Sequence, residues 1–250
     1  MKNTVLSISA GILLLIVWEC VAGRHATTRL FISSPTRIFQ YAEGSSTELL
    51  QATGRTLSEA SLGLALAATC AIGSMILCII LPRLLKIMLP IMVVFQVIPL
   101  ITIAPLLIII LGPGLAPVVV MSALLAYFPI FVNFANGVRQ LDASIIDFLT
   151  LNKATLWDKV RLAYFPLSLP HLFAGLRVGA TLAVIGAIVA EFSGIPIGLG
   201  RNLYISSLRL EPELMMTTLF LSAALGGLFY AIVVGLERIF AKWYTPGLGV

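Results

Sequence analysis

An all-α, polytopic membrane protein with about six transmembrane helices and one two-helix module in water is the architecture this sequence predicts. Three observations point there. Of 250 residues, 59% are hydrophobic and 11% charged, with a mean hydropathy of +1.05. A soluble domain needs roughly 25% charge to keep its surface wet. About 20 apolar residues cross a bilayer, and stretches of that order fall at 4–22, 57–81, 87–111, 115–136, 172–192 and 214–240. Between the fourth and fifth lies a polar stretch, Arg139 to His171, that ends Pro166-Leu167-Ser168-Leu169-Pro170.

The first span follows Lys2 and runs on from Val5 to Val17. It imitates a secretion signal, but Trp18-Glu19-Cys20 stands where small residues at a cleavage site are wanted, so a retained span is expected. Segment 23–56 carries Ser34-Pro35 with Ile38, Phe39 and Tyr41, an interfacial element, and Glu48 to Glu59 reads as a helix leading into span two. The second and fifth spans are rich in small residues (Gly63, Ala67 and Gly73; Gly175, Gly179 and Gly186), which lets membrane helices approach closely. Spans three and four contain breakers, Pro99 and Pro105, then Pro117 and Pro129, with Gln96, Asn133 and Asn136 nearby. Gly112-Pro113-Gly114 makes a tight hairpin between them. Proline in a membrane helix frees a carbonyl that protein or water must satisfy. Packing kinks and a path-lining role both fit, and Gln96, Pro99 and Asn133 are the candidates for the second.

The polar stretch splits into two short helices. Asp142 is placed to cap the first, which carries Ile145, Ile146, Phe148 and Leu149, and Asn152 is the expected left-handed stop. Thr155 opens the second, with Asp158 three residues on completing a capping box. Leu156, Trp157, Val160 and Ala163 share one side, Asp158, Lys159 and Arg161 the other. Pro166 and Pro170 are expected to stop it before the next span. A membrane protein that keeps such a piece in water presents it to a soluble partner, unless Trp157 merely sits in the membrane interface.

With the N-terminus inside, the inner segments hold Lys2, Arg83, Lys86, Arg139, Lys153, Lys159, Arg161, Arg177, Arg238 and Lys242. The outer ones hold Arg24, Arg29, Arg37, Arg55, Arg201 and Arg209. The larger inner set predicts both termini, and the module, in the cytoplasm of a bacterial-type plasma membrane. Topology explains the basic excess without nucleic acid.

Several chemistries are missing. No glycine is followed by lysine, so there is no nucleotide-cradling loop, and neither H-E-x-x-H, G-x-S-x-G nor C-x-x-C occurs. Cys20, Cys70 and Cys78 sit in apolar runs, and His25 and His171 stand alone, so no metal site and no catalytic set is expected. Glu191, followed by Ser193 near the end of span five, is the one acid at or near membrane depth. Such a carboxylate costs roughly 2.5–3.5 kcal/mol at the bilayer centre and so faces protein or water. It is either a gate contact, with Arg201 as a possible partner, or a helix terminator.

These features resemble the permease subunit of a type I ABC importer, in the nitrate/sulfonate/taurine and thiamine-precursor group. That family's cytoplasmic motif, E-A-A-x-x-x-G with I-x-L-P further on, falls here on Asp147-Phe148-Leu149, Lys153, Ala163, Phe165 and Pro166, of which Pro166 alone is identical. Wider context carries more: Val97 to Leu107 with Gly112-Pro113-Gly114, Leu169-Pro170, Gly175-Leu176-Arg177, Ala190-Glu191, and Ser33-Ser34-Pro35. The similarity runs over roughly 30–245, leaving 1–29 as an N-terminal helix and 30–250 as the permease core. Lys153 replaces a glycine that permits positive φ, and Asn152 is expected to take over that turn.

The resemblance implies a second permease copy, two cytoplasmic ATPase subunits that bind ATP and magnesium, and an external solute-binding protein. This chain itself then holds no cofactor. It assigns ATPase docking to the module, at Asp147, Asn152, Lys153, Thr155, Leu156, Trp157, Val160, Arg161 and Pro166. Glu191 and Ser193 join Gln96, Pro99 and Asn133 along the path. The rival is an ion-coupled secondary carrier, which needs an inverted repeat and mid-membrane ionisable groups; no repeat is evident and Glu191 stands alone. A non-transporting membrane anchor is the third class.

Overall fold

A computed structural model describes residues 2–24 and 33–244, and among them every regular element is helical. His25, Arg29 and the chain boundary drawn at residue 29 lie outside the described residues, as do the side chains of Lys2, Arg24, Gln96 and Lys242. The helices are α1 (Lys2–Arg24), α2 (Pro35–Gly44), α3 (Ser46–Ile80), α4 (Pro82–Val97), α5 (Ile103–Leu111) and α6 (Leu115–Arg139). They continue with α7 (Ala143–Leu151), α8 (Leu156–Phe192), α9 (Leu199–Arg209) and α10 (Pro212–Tyr244).

Among the described residues, α3, α6, α8 and α10 are long and apolar enough to cross a membrane, and Ile12–Ala22 of α1 is a shorter apolar stretch. The expected third span is not one helix. Ile98 is extended, as a residue before proline tends to be, so α4 ends at Val97. A 3-10 turn at Leu100–Thr102 then leads into α5. Pro105 is tolerated as the third residue of α5, where a backbone N–H has no helical partner. Three further differences concern lengths. The helix expected over Glu48 to Glu59 is continuous with span two, α9 (Leu199–Arg209) occupies the middle of segment 193–213, and α8 begins well before residue 172.

Pro166 and Pro170 do not stop the second module helix. It runs through both as α8, by way of a π turn at Val160–Tyr164 in which the Phe165 N–H reaches back to the Val160 carbonyl. A proline ring ordinarily clashes with the carbonyl four residues earlier, and the wider π turn lies at that carbonyl.

The packing follows the small-residue pattern. Helix α6 forms the middle, with Met121, Ile130, Phe131 and Phe134 buried, and it is flanked by α3 and α8. Ser122 marks the closest approach: its hydroxyl donates to the Ala183 carbonyl at 2.8 Å. A Cβ on Gly63 would collide with its side chain, and one on Gly186 would come to 2.7 Å of its Cα. Between helices in lipid, this kind of backbone contact replaces the hydrophobic drive of water. Large apolar side chains such as Val94, Ile109 and Leu228 are turned outward, as a bilayer permits. At the ends, Glu19 of α1 accepts from the Thr36 N–H at 3.1 Å and hydroxyl at 2.7 Å, capping α2. Arg177 of α8 pairs with Glu237 of α10 at 2.9 Å.

Candidate functional site

The module forms as its caps dictate. The Asp142 carboxylate accepts the Ser144 N–H at 2.9 Å, and that bond holds its pKa below the ordinary aspartate range. At the second helix the Asp158 N–H donates to the Thr155 hydroxyl at 3.2 Å, and the Thr155 N–H donates to the Asp158 carboxylate at 2.9 Å, a closed capping box.

The turn between them departs from expectation. Asn152 keeps φ at −81°, while Lys153 adopts φ 56°, the left-handed conformation. The Lys153 N–H donates to Thr150 O and the Ala154 N–H to Leu149 O, both at 3.0 Å, the two bonds of a Schellman stop. That geometry needs its left-handed residue one place beyond the last cap, so position, not side-chain preference, selects Lys153. The Asn152 amide instead donates to the Phe148 carbonyl at 2.9 Å.

Exposure divides the nine module residues singled out above. Asp147, Asn152, Lys153, Thr155, Leu156, Trp157 and Arg161 are exposed, Pro166 is half-buried, and Val160 is buried. Val160 and Ala163 pack into the body of the protein, so the expected apolar stripe is split, and its outward part is Leu156 and Trp157. Helix α7 buries none of its residues and adds Phe148 and Leu151 to the exposed apolar set.

Among the path candidates whose side chains are described, none hydrogen-bonds to another. Pro99 lies in the break between α4 and the 3-10 turn. The Asn133 side chain donates to Pro129 O of its own helix at 2.8 Å, and Ser193 donates to Val189 O at 2.9 Å. Glu191 is fully buried and does not meet Arg201. One of its oxygens takes the Thr56 hydroxyl at 2.7 Å, and the other takes the Gly200 N–H, in the first turn of α9, at 2.6 Å. Thr56 also accepts the Leu199 N–H at 2.9 Å. A carboxylate at a helix N-terminus is favoured by the helix dipole as well as by the bond itself. Side chains at Gly198 or Gly200 would strike Glu191, which is why the loop closes G-L-G, while Gly194 at its start takes a positive φ of 132°.

Glu191 does not stand alone. Glu59, also fully buried, lies beside it, with the Arg55 Nε at 2.6 Å from the Glu59 carboxylate. The cluster thus binds α3, α8 and α9 at one end of the bundle. Thr56 and Glu59 escaped the sequence reading because Glu59 closed a helix assigned to the outer loop. Their spacing, one helical turn apart at the head of an apolar run, was the available signal. Among the described residues no group of His, Cys, Asp and Glu could hold a metal ion, and Cys70 is exposed while Cys78 is buried.

A profile of the family described as "Binding-protein-dependent transport system inner membrane component" matches residues 81–246. The chain belongs to this family. The matched stretch holds α4 to α10, and so the module, the broken span and Glu191, but not Thr56 and Glu59.

Among relatives, a probable ABC transporter permease protein of Haemophilus influenzae is 32% identical over 87% of this chain and 89% of its own length. A formylaminopyrimidine transport permease protein of Halalkalibacterium halodurans is 28% identical over 93% of both. A riboflavin transport system permease protein of Chloroflexus aurantiacus is 32% identical over 62% of this chain, which spans 58% of that relative's length. The protein is therefore a permease subunit of an ABC importer, a multi-pass membrane protein and not an enzyme. A secondary carrier is overturned by this membership, and the buried acids that it would have wanted are tied to Arg55, Thr56 and Gly200.

Proposed function

We propose that this permease pairs with a second permease copy to form the path for a small solute, delivered by an external binding protein. Two ATPase subunits, which hold the ATP and magnesium, drive it from the cytoplasmic side. Both termini and the 139–171 module face that side. No cofactor is assigned to this chain.

The observation that carries the reading is the exposed apolar set Phe148, Leu151, Leu156 and Trp157, on a module stiffened by two caps and a Schellman turn. Apolar residues raised on a rigid, capped module fit a groove on a soluble partner, and each buried one contributes roughly 1.5–3 kcal/mol. Asp147 and Arg161 flank the set and supply register. The test is co-purification of the cognate ATPase with Trp157→Ala and Leu156→Ala permeases. Each should lose about tenfold or more in affinity while inserting normally. ATPase recovery equal to wild type in the double variant refutes the docking role. Val160→Asp does not serve, because Val160 is part of the permease interior.

The solute is a further step. The relatives are named for riboflavin, formylaminopyrimidine, aliphatic sulfonates and carnitine. No one of these is assigned to this chain.

A further inference from the structure

Two fully buried acids and one arginine meet at the end of the bundle that holds α9, and their charges do not cancel. Glu59 and Glu191 are the acids, and the cation is Arg55, its Nε 2.6 Å from one Glu59 oxygen. That contact is close but not aligned as a hydrogen bond, so neither Glu59 oxygen accepts one from any described residue. Glu191 is better supplied, with the Thr56 hydroxyl on one oxygen and the Gly200 N–H on the other. Glu59 therefore lacks a donor, and the cluster lacks one positive charge. Among the described residues no other group makes up the difference. The loop and α9 bring Gly198, Leu199 and Gly200, while Arg201 lies over the Tyr204 ring at 5.5 Å. The stretch of α6 that packs here, up to the contact of Ser122 with Gly63 and Gly186, is Leu115 to Ser122, which has no titratable residue. Glu213 of α10 and Arg37 of α2 answer each other at 3.8 Å.

An unneutralised charge in a water-free interior is far costlier than a paired one, and two carboxylates that share a buried site do not both ionise. The Glu59 and Glu191 carboxyl groups are within hydrogen-bond reach of each other. One added proton thus supplies both missing parts: it neutralises the cluster and gives Glu59 its donor. We propose that Glu59 and Glu191 hold one proton between them, and that this acid–carboxylate hydrogen bond latches α3 to α8 beside the bond through Thr56. The proton belongs to the pair and not to either residue. Its release leaves two carboxylates facing each other across the α3–α8 seam, so the latch loosens as pH rises. A metal ion is the poorer fit, because hard cations gather about six oxygens or more, and Thr56 and both Glu191 oxygens are already engaged. The latch goes beyond the permease reading and does not depend on it.

Infrared spectroscopy of the full chain with isotopically labelled glutamate, in lipid nanodiscs at about pH 7, reads the proton directly, since free glutamates are ionised there. A protonated-carboxyl band equal to one glutamate per chain is expected. It should vanish in Glu59→Gln and in Glu191→Gln, where one acid faces one arginine. A wild type without the band overturns the latch, and so does a band that survives either substitution. Stability is the second readout. Above about pH 6 the folded chain carries one proton more than the unfolded chain, so its folding equilibrium should weaken by up to about tenfold per pH unit as pH rises. Glu59→Gln keeps the shape and still has an N–H to give Glu191, and it should lose that dependence. Thermal midpoints of wild type and Glu59→Gln that fall in parallel with pH overturn the proposal. A midpoint that follows sodium or potassium at fixed pH, with no carboxyl band, assigns the missing charge to a metal ion and overturns it too.

Discussion

Replacing Thr56 by valine changes one buried hydroxyl to a methyl group at constant shape, and three contacts disappear with it. The hydroxyl shares its one proton between Glu191 at 2.7 Å and the Ala52 carbonyl of its own helix at 3.1 Å, and it accepts the Leu199 N–H at 2.9 Å. A hydrogen bond contributes about 0.5–1.5 kcal/mol, and a buried N–H left without an acceptor costs about 1–3 kcal/mol. Together the loss is on the order of 2–4 kcal/mol, because no water reaches a side chain that is fully buried. For a chain of this size each kcal/mol moves the thermal midpoint by about 2–4 °C, so a drop on the order of 10 °C is expected.

The assay is thermal unfolding of the purified permease, followed by circular dichroism. Thr53→Val is the control: its hydroxyl bonds only to Leu49 O within its own helix, so its midpoint should hold to within about 1–2 °C. If Thr56→Val and Thr53→Val shift alike, the three-helix tie at Glu191 is not a stabilising element.

Two other outcomes are expected. Lys153→Gly removes a left-handed non-glycine conformation that costs roughly 1–2 kcal/mol, so the midpoint should rise by about 2–8 °C, and a fall would show that the turn does not depend on φ at 153. In a cysteine-free background, a cysteine at Ser46 should react with an impermeant thiol reagent on intact cells, and one at Thr155 only after permeabilisation; the reverse pattern would invert the proposed orientation.

Local features were legible in the sequence and long-range ones were not. Asp142 and the Thr155–Asp158 box act within three residues, so composition and spacing suffice to place them. Apolar length located α1, α3, α6, α8 and α10, and the prolines marked the region where span three breaks. The left-handed residue was misplaced by one because asparagine tolerates that conformation better than lysine, and residue type was weighed above cap position. Val160 was misplaced because an amphipathic stripe shows that a helix has an apolar side, not how much of that side the rest of the chain covers. Thr56 and Glu191 are 135 residues apart, and nothing local in either signals the other.

Continuity of α8 through Pro166 and Pro170 changes how the module relates to the far end of the bundle. Had those prolines ended the module helix, Trp157 would hang on a hinge, and displacement there would dissipate in the joint. Instead one helix of 37 residues, about 55 Å at 1.5 Å per residue, joins Leu156 to Phe192. Its first turn carries the exposed Trp157, and its last carries Glu191, bonded to α3 through Thr56 and to α9 through Gly200. The π turn at Val160–Tyr164 and the interior Pro170, which has no N–H to give, are its irregular points, and Val160 and Ala163 seat the π turn in the protein interior. A load applied at Trp157 therefore meets an anchored turn first and then a helix that stays continuous to Phe192. The acid cluster is where that helix grips α9, which carries Arg201. Glu191 is thus better understood as the fastening that makes α3, α8 and α9 move together than as a gate partner of Arg201.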